Sequence, residues 1–166
     1  MVQPEHLRHK PAEPLDRNRE LLVACPHFKS AVNLSRIVRL CGCAGVGQIV
    51  VRGSLKIDPK IARDAVEQVQ IIRRRTLTTS LIKLREEGYR LVGLEQTNQS
   101  KVLFNYSFDR KTVLVIGHER NGLSDDELRI MNDLIEIPVY GLPHSYNVVT
   151  ATTMAVYEYC RQFPNG

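Results

Sequence analysis

Tryptophan is absent from the 166-residue sequence, and cysteine is scarce. The four cysteines are Cys25, Cys41, Cys43 and Cys160. No two of them are separated by two residues, which argues against the C-x-x-C spacing of zinc and dithiol sites. No apolar run approaches the roughly 18 residues that cross a bilayer, and residues 1–20 lack the apolar core of a secretory signal. We therefore expect reduced thiols, a cytoplasmic location, no metal and no membrane partner.

The glycine-rich loops of two common nucleotide-binding folds are also missing. Gly42, Gly45 and Gly47 follow a predicted helix and precede a predicted strand, whereas the dinucleotide fingerprint lies between a strand and a helix. No G-x-x-x-x-G-K-[ST] phosphate loop is present. These absences argue against the usual NAD, FAD and ATP sites, and a helix stop followed by a tight turn explains the three glycines better.

Positive charge is concentrated in the middle of the chain. The net charge is +5, with 43% hydrophobic and 25% charged residues, which is typical of a globular protein. Residues 29–90 carry a net charge of +8, whereas residues 91–166 carry −3. The densest basic cluster, Arg73, Arg74 and Arg75, is followed by threonine and serine, a mixture suited to phosphate contacts. The pattern indicates either a nucleic-acid surface or a solvated basic face.

The order of apolar runs predicts the fold class. Residues 1–19 carry three prolines and no apolar core, so we predict a flexible arm followed by one domain over residues 20–166. The predicted strands are 21–25, 48–53, 89–96, 111–119 and 133–139. The predicted helices are 30–43, one from Asp58-Pro59, one from Thr79 or Ser80 to Glu87, one from Ser124, and one from Asn147 to about Arg161. This alternation predicts an α/β fold with a mostly parallel sheet and helices on both faces.

Candidate functional residues lie at the ends of the predicted strands, because parallel sheets bind ligands at the carboxyl ends of their strands. Glu95 lies at the end of the third predicted strand, and Gly117 to Glu119 lie at the end of the fourth. Gly117 and Gly122 bracket Glu119. Glycine allows a ligand to approach the backbone closely, but the same residues are also compatible with an ordinary loop.

The segment 138–147 begins at the end of the fifth predicted strand and is rich in proline and small polar residues. Its exposed backbone groups could line an adenosine pocket. Ser145 and Asn147 are equally suited to capping the final helix, so both interpretations stay open at this point.

Three ordered segments resemble the TrmH/SpoU branch of the SPOUT superfamily, the RNA ribose 2′-O-methyltransferases. The first places Arg39 six residues after Asn33, and the second is VIGHERNGLS at 115–124. The third begins with IPVYG at 137–141 and continues through Ser145, Tyr146 and Asn147 into the final helix. Their order, spacing and strand context resemble the family over roughly residues 20–162. In one departure, Tyr146 stands where the family usually has leucine.

The resemblance implies a fold in which the carboxyl-terminal segment threads through a loop to form a deep trefoil knot. It further implies that the knot cradles the cofactor S-adenosylmethionine in a homodimer whose active sites are built across the two subunits. The residues implied to contact the cofactor, largely through their backbone, are Leu94, Gly117, Gly122, Ile137, Leu142 and Tyr146.

The same resemblance implies a catalytic set formed by Asn33, Arg39, Glu119, Ser145 and Asn147. Because a guanidinium stays protonated, we expect Arg39 to clamp a neighbouring phosphate and to stabilise negative charge developing on the ribose 2′-oxygen. The proton would pass to the RNA phosphate or to water, while the other four residues orient Arg39 and the ribose. Further RNA contacts are expected from Arg36 and from Arg73, Arg74 and Arg75.

The expected function is therefore S-adenosylmethionine-dependent methylation of an RNA ribose, with tRNA favoured over rRNA because the chain carries only a short arm beside the catalytic domain. One alternative is a non-catalytic RNA-binding protein that retains the SPOUT fold. The intact set of five catalytic residues argues against that alternative. Another is an α/β protein that binds a different nucleotide, which binding of S-adenosylhomocysteine would distinguish.

Overall fold

The computed structural model describes residues 3–7 and 10–166. Seven short runs, most of them apolar, form the strands β1 Leu21–Cys25, β2 Gln48–Arg52, β3 Gln70–Arg74, β4 Arg90–Leu94, β5 Lys101–Val102, β6 Thr112–Ile116 and β7 Asp133–Glu136. The α-helices are α1 Ala31–Cys43, α2 Pro59–Ala62, α3 Ala65–Gln68, α4 Thr78–Glu86, α5 Asp125–Ile130 and α6 Val148–Gln162. None of these helices is both long and apolar enough to cross a membrane, within the part of the chain that is described.

The strands form one sheet in the order β3-β2-β1-β6-β4-β7-β5, and every pairing between them is parallel. Side chains alternate along β1, so that Leu21 and Val23 face one core while Leu22 and Ala24 face another. The first core includes side chains from α1 and α6, and the second is covered by α4 and α5. The predicted α/β class, with a mostly parallel sheet between two helical layers, is confirmed.

The sequence analysis did not predict two of the strands and one of the helices. The pattern did not predict β3, because charged residues interrupt its apolar run and because it lies at one edge of the sheet, where neither face is fully buried. It also missed β5, which has two residues, and α3, which has four. Predicted strands 111–119 and 133–139 end earlier than expected, at Ile116 and Glu136. Their remaining residues form loops at the carboxyl edge of the sheet.

β7 lies between two strands that are consecutive in the chain. β4 and β5 are separated by the short connection 95–100, yet they do not pair with each other; β7, later in the chain, lies between them. Two side chains stabilise this connection: the Ser100 hydroxyl donates to the Glu95 carbonyl at 2.7 Å and also bonds the Thr97 hydroxyl at 2.8 Å. The chain that enters and leaves β7 therefore passes between two segments that are neighbours in sequence.

The predicted arm, residues 1–19, includes Met1, Val2, Arg8 and His9, which lie outside the described residues. Its flexibility stays a prediction. At its end, the Arg19 guanidinium donates to the carbonyls of Ala44 and Phe163, the residues that follow α1 and α6. The Asp16 amide also donates to the Asn165 carbonyl at 3.0 Å. The last residues of the segment thus connect the carboxyl ends of two helices that pack on the same face of the sheet.

Candidate active site

A cavity of about 210 Å³ opens at the carboxyl ends of three adjacent strands, β6, β4 and β7. Its walls come from the residues that follow each of these strands and from the start of α6. The lining residues are Leu94, Glu95, Gln96, Ile116, Gly117, His118, Glu119, Arg120, Gly122, Glu136, Ile137, Ser145, Tyr146, Val148 and Ala151. This is the edge at which a parallel sheet places its ligands.

The turn after β6 forms one wall of the cavity and depends on two glycines. The His118 amide donates to the Gly122 carbonyl at 3.0 Å, and the Gly122 amide returns a bond of equal length. Gly122 has a φ of +65°, a conformation that residues with a side chain rarely adopt. A Cβ atom on Gly122 would overlap the Glu95 carboxylate, and one on Gly117 would lie 2.9 Å from the Gly122 Cα atom. The turn therefore requires glycine at both positions.

Glu95 holds this turn against the end of β4. Its Oε2 atom accepts a hydrogen bond from the Leu123 amide at 2.8 Å, and its Oε1 atom accepts one from the Gln96 amide at 3.1 Å. The sequence indicated Glu95 at the end of a strand but gave no role for it, and the structure places it directly after β4. Because its main contact lies 28 residues away in the chain, no local pattern indicated that contact. Glu95 is a positioning residue for the turn that carries Gly122.

Asn33 and Glu119, which come from two separate motifs, lie in contact. The Asn33 Nδ2 atom donates to Glu119 Oε1 at 3.2 Å, and the Lys29 amide donates to Glu119 Oε2 at 3.4 Å. His118 Nε2 lies 3.6 Å from the same Oε2 atom, and the Glu119 side chain is only 18% exposed. Asn33 lies in the first turn of α1, where its backbone amide donates a hydrogen bond to the Oγ atom of the N-cap residue Ser30. The amino-terminal motif is therefore joined to the turn after β6.

The loop 137–147 forms the opposite wall of the cavity. Ile137, Ser145 and Tyr146 line it, whereas Leu142 is 81% exposed and lies outside it. Asn147 caps α6, since its Oδ1 atom accepts a hydrogen bond from the Val149 amide at 2.9 Å. That contact leaves the Nδ2 group of Asn147 as a donor.

The cavity is rich in carboxylates. Glu95, Glu119 and Glu136 line it together with one cation, Arg120. Backbone groups at strand ends and at the glycine turn supply hydrogen-bond donors and acceptors close to the open space. Such a site suits a ligand with a positive centre and a polar edge that main-chain groups can recognise.

The predicted arginines lie away from this cavity in the single chain. Arg36 and Arg39 are exposed on α1, and neither lines the cavity. Six helical residues advance the chain by about 9 Å, so Arg39 lies well beyond Asn33 along the helix axis. Arg73 and Arg74 end the edge strand β3, and Arg75 follows it; all three are exposed.

Two of the four cysteine thiols are buried. Burial raises the pKa of the Cys25 thiol, and it raises that of Cys41 to about 12, so both stay protonated near neutral pH. All four cysteines are free, and no group of three or more histidine, cysteine or acidic side chains in these ranges is placed to hold a metal ion.

Comparison with known proteins gives a consistent result. Residues 20–157 match the sequence model of the SpoU rRNA Methylase family. The chain is 29% identical over 150 residues to a tRNA (guanosine(18)-2'-O)-methyltransferase of Aquifex aeolicus, covering 88% of this chain and 71% of that protein. It is 32% identical over 149 residues to the mouse tRNA (guanosine(18)-2'-O)-methyltransferase TARBP1, covering 86% of this chain but 9% of the mouse protein. The chain thus spans less than a tenth of this much longer relative.

Solved structures share the fold. The crystal structure of the A. aeolicus TrmH/SpoU tRNA modifying enzyme superposes with a TM-score of 0.84 and 28% identity, covering 90% of this chain and 78% of that one. The SpoU methyltransferase AviRb from Streptomyces viridochromogenes, solved in complex with the cofactor AdoMet, superposes with a TM-score of 0.75 and 26% identity, covering 94% and 67% of the two chains.

Proposed function

This chain belongs to the SpoU rRNA methylase family, and we propose that it transfers the methyl group of S-adenosylmethionine to a ribose 2′-hydroxyl of RNA. We favour tRNA over rRNA as the substrate, because the similar proteins from A. aeolicus and mouse carry names that specify tRNA. The observation that carries the proposal is the contact of Asn33 with Glu119 on a glycine turn beside the cavity. It brings the first and second motifs of the resemblance to one place.

The cavity is compatible with the cofactor. Gly117 and Gly122 line it with backbone that no side chain covers, and three carboxylates among the lining residues suit a positive centre. Leu94, Gly117 and Ile137 line the cavity and would contact the adenosine, with Gly122 and Tyr146 completing the wall. Leu142, which the resemblance also implies, would have to approach from its exposed position. When bound, S-adenosylmethionine supplies a methyl group activated by its sulfonium.

The chain's own residues would position the ribose and manage its charge. Glu119, held by Asn33, and Ser145 line the cavity, whereas Asn147 caps α6 next to Tyr146 and Val148 and does not itself line it. Asn147 would contact the ribose through its Nδ2 group. Arg39 would clamp the phosphate next to the ribose and stabilise negative charge on the 2′-oxygen, because its guanidinium offers paired donors and stays protonated. The hydroxyl proton would leave to the RNA phosphate or to water.

We propose that the protein acts as a homodimer in which the partner subunit's Arg39 reaches the cavity. The exposure of Arg36 and Arg39, away from the cavity of their own chain, supports this arrangement. Exposed apolar side chains on α1 and α6, Val32 and Tyr157, support the idea that this helical face is covered by a second copy.

We also propose that the chain after β7 forms the deep trefoil knot of this fold. The insertion of β7 between β4 and β5 supports it, because the chain must pass the 95–100 connection to reach and leave that position. Fold similarity to the A. aeolicus enzyme over 90% of the chain is a second line of support.

Transfer of label from S-[methyl-³H]adenosylmethionine tests the function. The purified protein is incubated with unmodified tRNA transcripts and separately with rRNA, and the products are hydrolysed in alkali. A methylated 2′-oxygen cannot attack the adjacent phosphodiester, so we expect the label in alkali-resistant dinucleotides. Label in mononucleotides would identify a methylated base instead. Binding of RNA without any labelling would favour the non-catalytic alternative.

A further inference from the structure

A second cavity, of about 180 Å³, adjoins the first at the turn after β6. His118 and Gly122 line both cavities. We call the second one the β1–β2 cleft, because the residues that end or follow β1 and β2 form much of its wall. Its lining residues are Pro26, His27, Arg52, His118, Asn121, Gly122, Ser124 and Glu127.

Arg52 brings positive charge to the β1–β2 cleft and lies beside a second arginine. It is the last residue of β2, and its register partner on β3 is Arg74. Both side chains are exposed, and within the described part of the chain no ion pair includes either of them. Like charges at paired positions repel each other, so an anion placed between them would relieve an unfavourable interaction.

His27 is seated at the cleft by the residue that follows Arg52. Gly53 has a φ of +91°, and its amide donates to the Arg74 carbonyl at 2.9 Å. A Cβ atom on Gly53 would lie 2.6 Å from His27 Nδ1, so the absent side chain makes room for the imidazole. The turn that ends β2 thus positions both a cation and a ring with two nitrogens at the same opening.

The single carboxylate among the residues that line the β1–β2 cleft is directed into its own helix. Glu127 Oε2 accepts hydrogen bonds from both the amide and the hydroxyl of Ser124, each at 2.8 Å. Glu127 is 7% exposed. His118 is engaged on both sides, because its Nδ1 atom accepts a hydrogen bond from the Arg120 amide at 3.2 Å and its Nε2 atom lies beside Glu119. The groups left to meet a ligand are therefore the guanidinium of Arg52, the imidazole of His27 and the Asn121 amide, a set that suits a phosphodiester.

We propose that the β1–β2 cleft binds a backbone phosphate of the RNA next to the nucleotide being methylated, and that Arg74 extends this contact along the sheet edge. The inference rests on the proposed function. Because the cleft and the cofactor cavity share one turn, a strand whose ribose faces the cofactor passes His118 and reaches Arg52. Arg52, Arg74 and His27 are then RNA-binding residues that the three motifs do not include.

Fluorescence anisotropy with an unmodified tRNA transcript tests the proposal over a series of salt concentrations. We expect Arg52→Ala to weaken binding about tenfold at low salt. It should also reduce the slope of log K against log salt by about 0.7 to 0.9, the change expected for one lost phosphate contact. Arg52→Lys should keep the slope, because it keeps the charge. His27→Ala should weaken binding severalfold.

The matched control is Lys111→Ala, which removes an exposed cation at the amino end of β6, on the opposite edge of the parallel sheet. It should change RNA affinity and slope far less than Arg52→Ala. All four variants should bind S-adenosylhomocysteine as the unmodified protein does. Equal RNA affinity and slope for Arg52→Ala and the unmodified protein would overturn the proposal, even where methyl transfer is intact. Absence of methyl transfer by the unmodified protein would instead refute the proposed function.

Discussion

Glu95 contacts two backbone amides at the base of the turn that lines the cofactor cavity. Each hydrogen bond to a charged group contributes about 1.5–3 kcal/mol. We expect Glu95→Ala to weaken binding of S-adenosylhomocysteine by about 10- to 100-fold, since the turn loses its support. Glu95→Gln, which keeps one acceptor oxygen, should lose less. Isothermal titration calorimetry measures both affinities.

The matched control for this change is Glu86→Ala, because Glu86 is an exposed carboxylate on α4 that does not line the cavity. Its affinity for the cofactor product should equal that of the unmodified protein. If Glu95→Ala binds equally well, then the turn holds its shape without this carboxylate.

Arg39 should affect turnover and not cofactor binding, because it lies outside the cavity of its own chain. We expect Arg39→Ala to lower kcat by about 100-fold or more, the loss typical of a removed charge-stabilising donor. Its affinity for S-adenosylhomocysteine should stay within about twofold of the original. Single-turnover methyl transfer and calorimetry on the same preparation test this prediction. Loss of cofactor binding with unchanged kcat at saturation would contradict it.

The contacts of individual residues were only partly predictable from the sequence. Spacing within the motifs indicated Asn33 and Glu119, and the structure joins them by a hydrogen bond. The sequence indicated Glu95 at the end of a strand. It did not indicate the contact of Glu95 with Leu123, which lies 28 residues later in the chain. A contact of that kind depends on how strands β4 and β6 pair, which a linear pattern does not contain.

Among the elements, β7 is joined to both of its neighbours by one buried side chain. Asp133, with 8% of its side chain exposed, accepts hydrogen bonds from Arg90 of β4 at 2.5 Å and from Lys101 of β5 at 2.7 Å. Tyr106 donates to it at 3.0 Å. Burial alone would raise the pKa of Asp133, but these three donors outweigh burial and hold that pKa below its usual value.

Because the pKa of Asp133 is lowered in the folded state, the stabilisation by its carboxylate depends on pH. The stabilisation is complete above the pKa of the unfolded carboxyl, about 3.9, and is lost as pH falls through the lower folded value. We expect Asp133→Asn to reduce the free energy of unfolding by about 1–3 kcal/mol near pH 7. The difference from the unmodified protein should shrink below about pH 4. Urea denaturation at several pH values measures it, and a difference that stays constant from pH 7 to pH 3 would contradict the assignment.

Elements with a full apolar run were predictable, and those without one were not. β6 is buried at all five of its positions and was the most apolar predicted strand. In β3 the two apolar residues are only half-buried, and the charged residues around them are exposed, so the run resembled a polar connection. The sequence indicated the arginines that end β3 as a basic cluster. That Arg74 pairs with Arg52 of β2 is visible only in the structure.

For the whole molecule, the alternation of strands and helices predicted the parallel sheet, but it did not predict the order of the strands in that sheet. Nothing in the sequence pattern places β7 between β4 and β5, since periodicity reports burial and not the order of neighbours. The oligomeric state also concerns the whole molecule. In the proposed homodimer, Arg39 acts on the cavity of the other copy, since it does not line the cavity of its own chain.

Mixing two inactive variants tests the proposed assembly. Arg39→Ala removes the guanidinium, and Gly117→Ala places a Cβ atom 2.9 Å from the Gly122 Cα atom, which disrupts the turn that lines the cofactor cavity of the chain that carries it. If the guanidinium comes from the partner subunit, a mixed dimer holds one intact site, and co-expression should restore about one quarter of the original activity. Two-tag purification isolates the mixed dimer. If that dimer is as inactive as its parents, then Arg39 acts within its own chain.

The central claim is that the methyl group goes to a ribose oxygen. The most direct measurement compares methyl transfer to two synthetic RNAs that differ in one atom, with ribose or 2′-deoxyribose at the nucleotide mapped in the alkali-resistant product. Both RNAs should bind with similar affinity, because their phosphates are the same. We predict full transfer to the ribose form and none to the deoxyribose form. Equal transfer to both would show that the methyl group is placed elsewhere on the nucleotide.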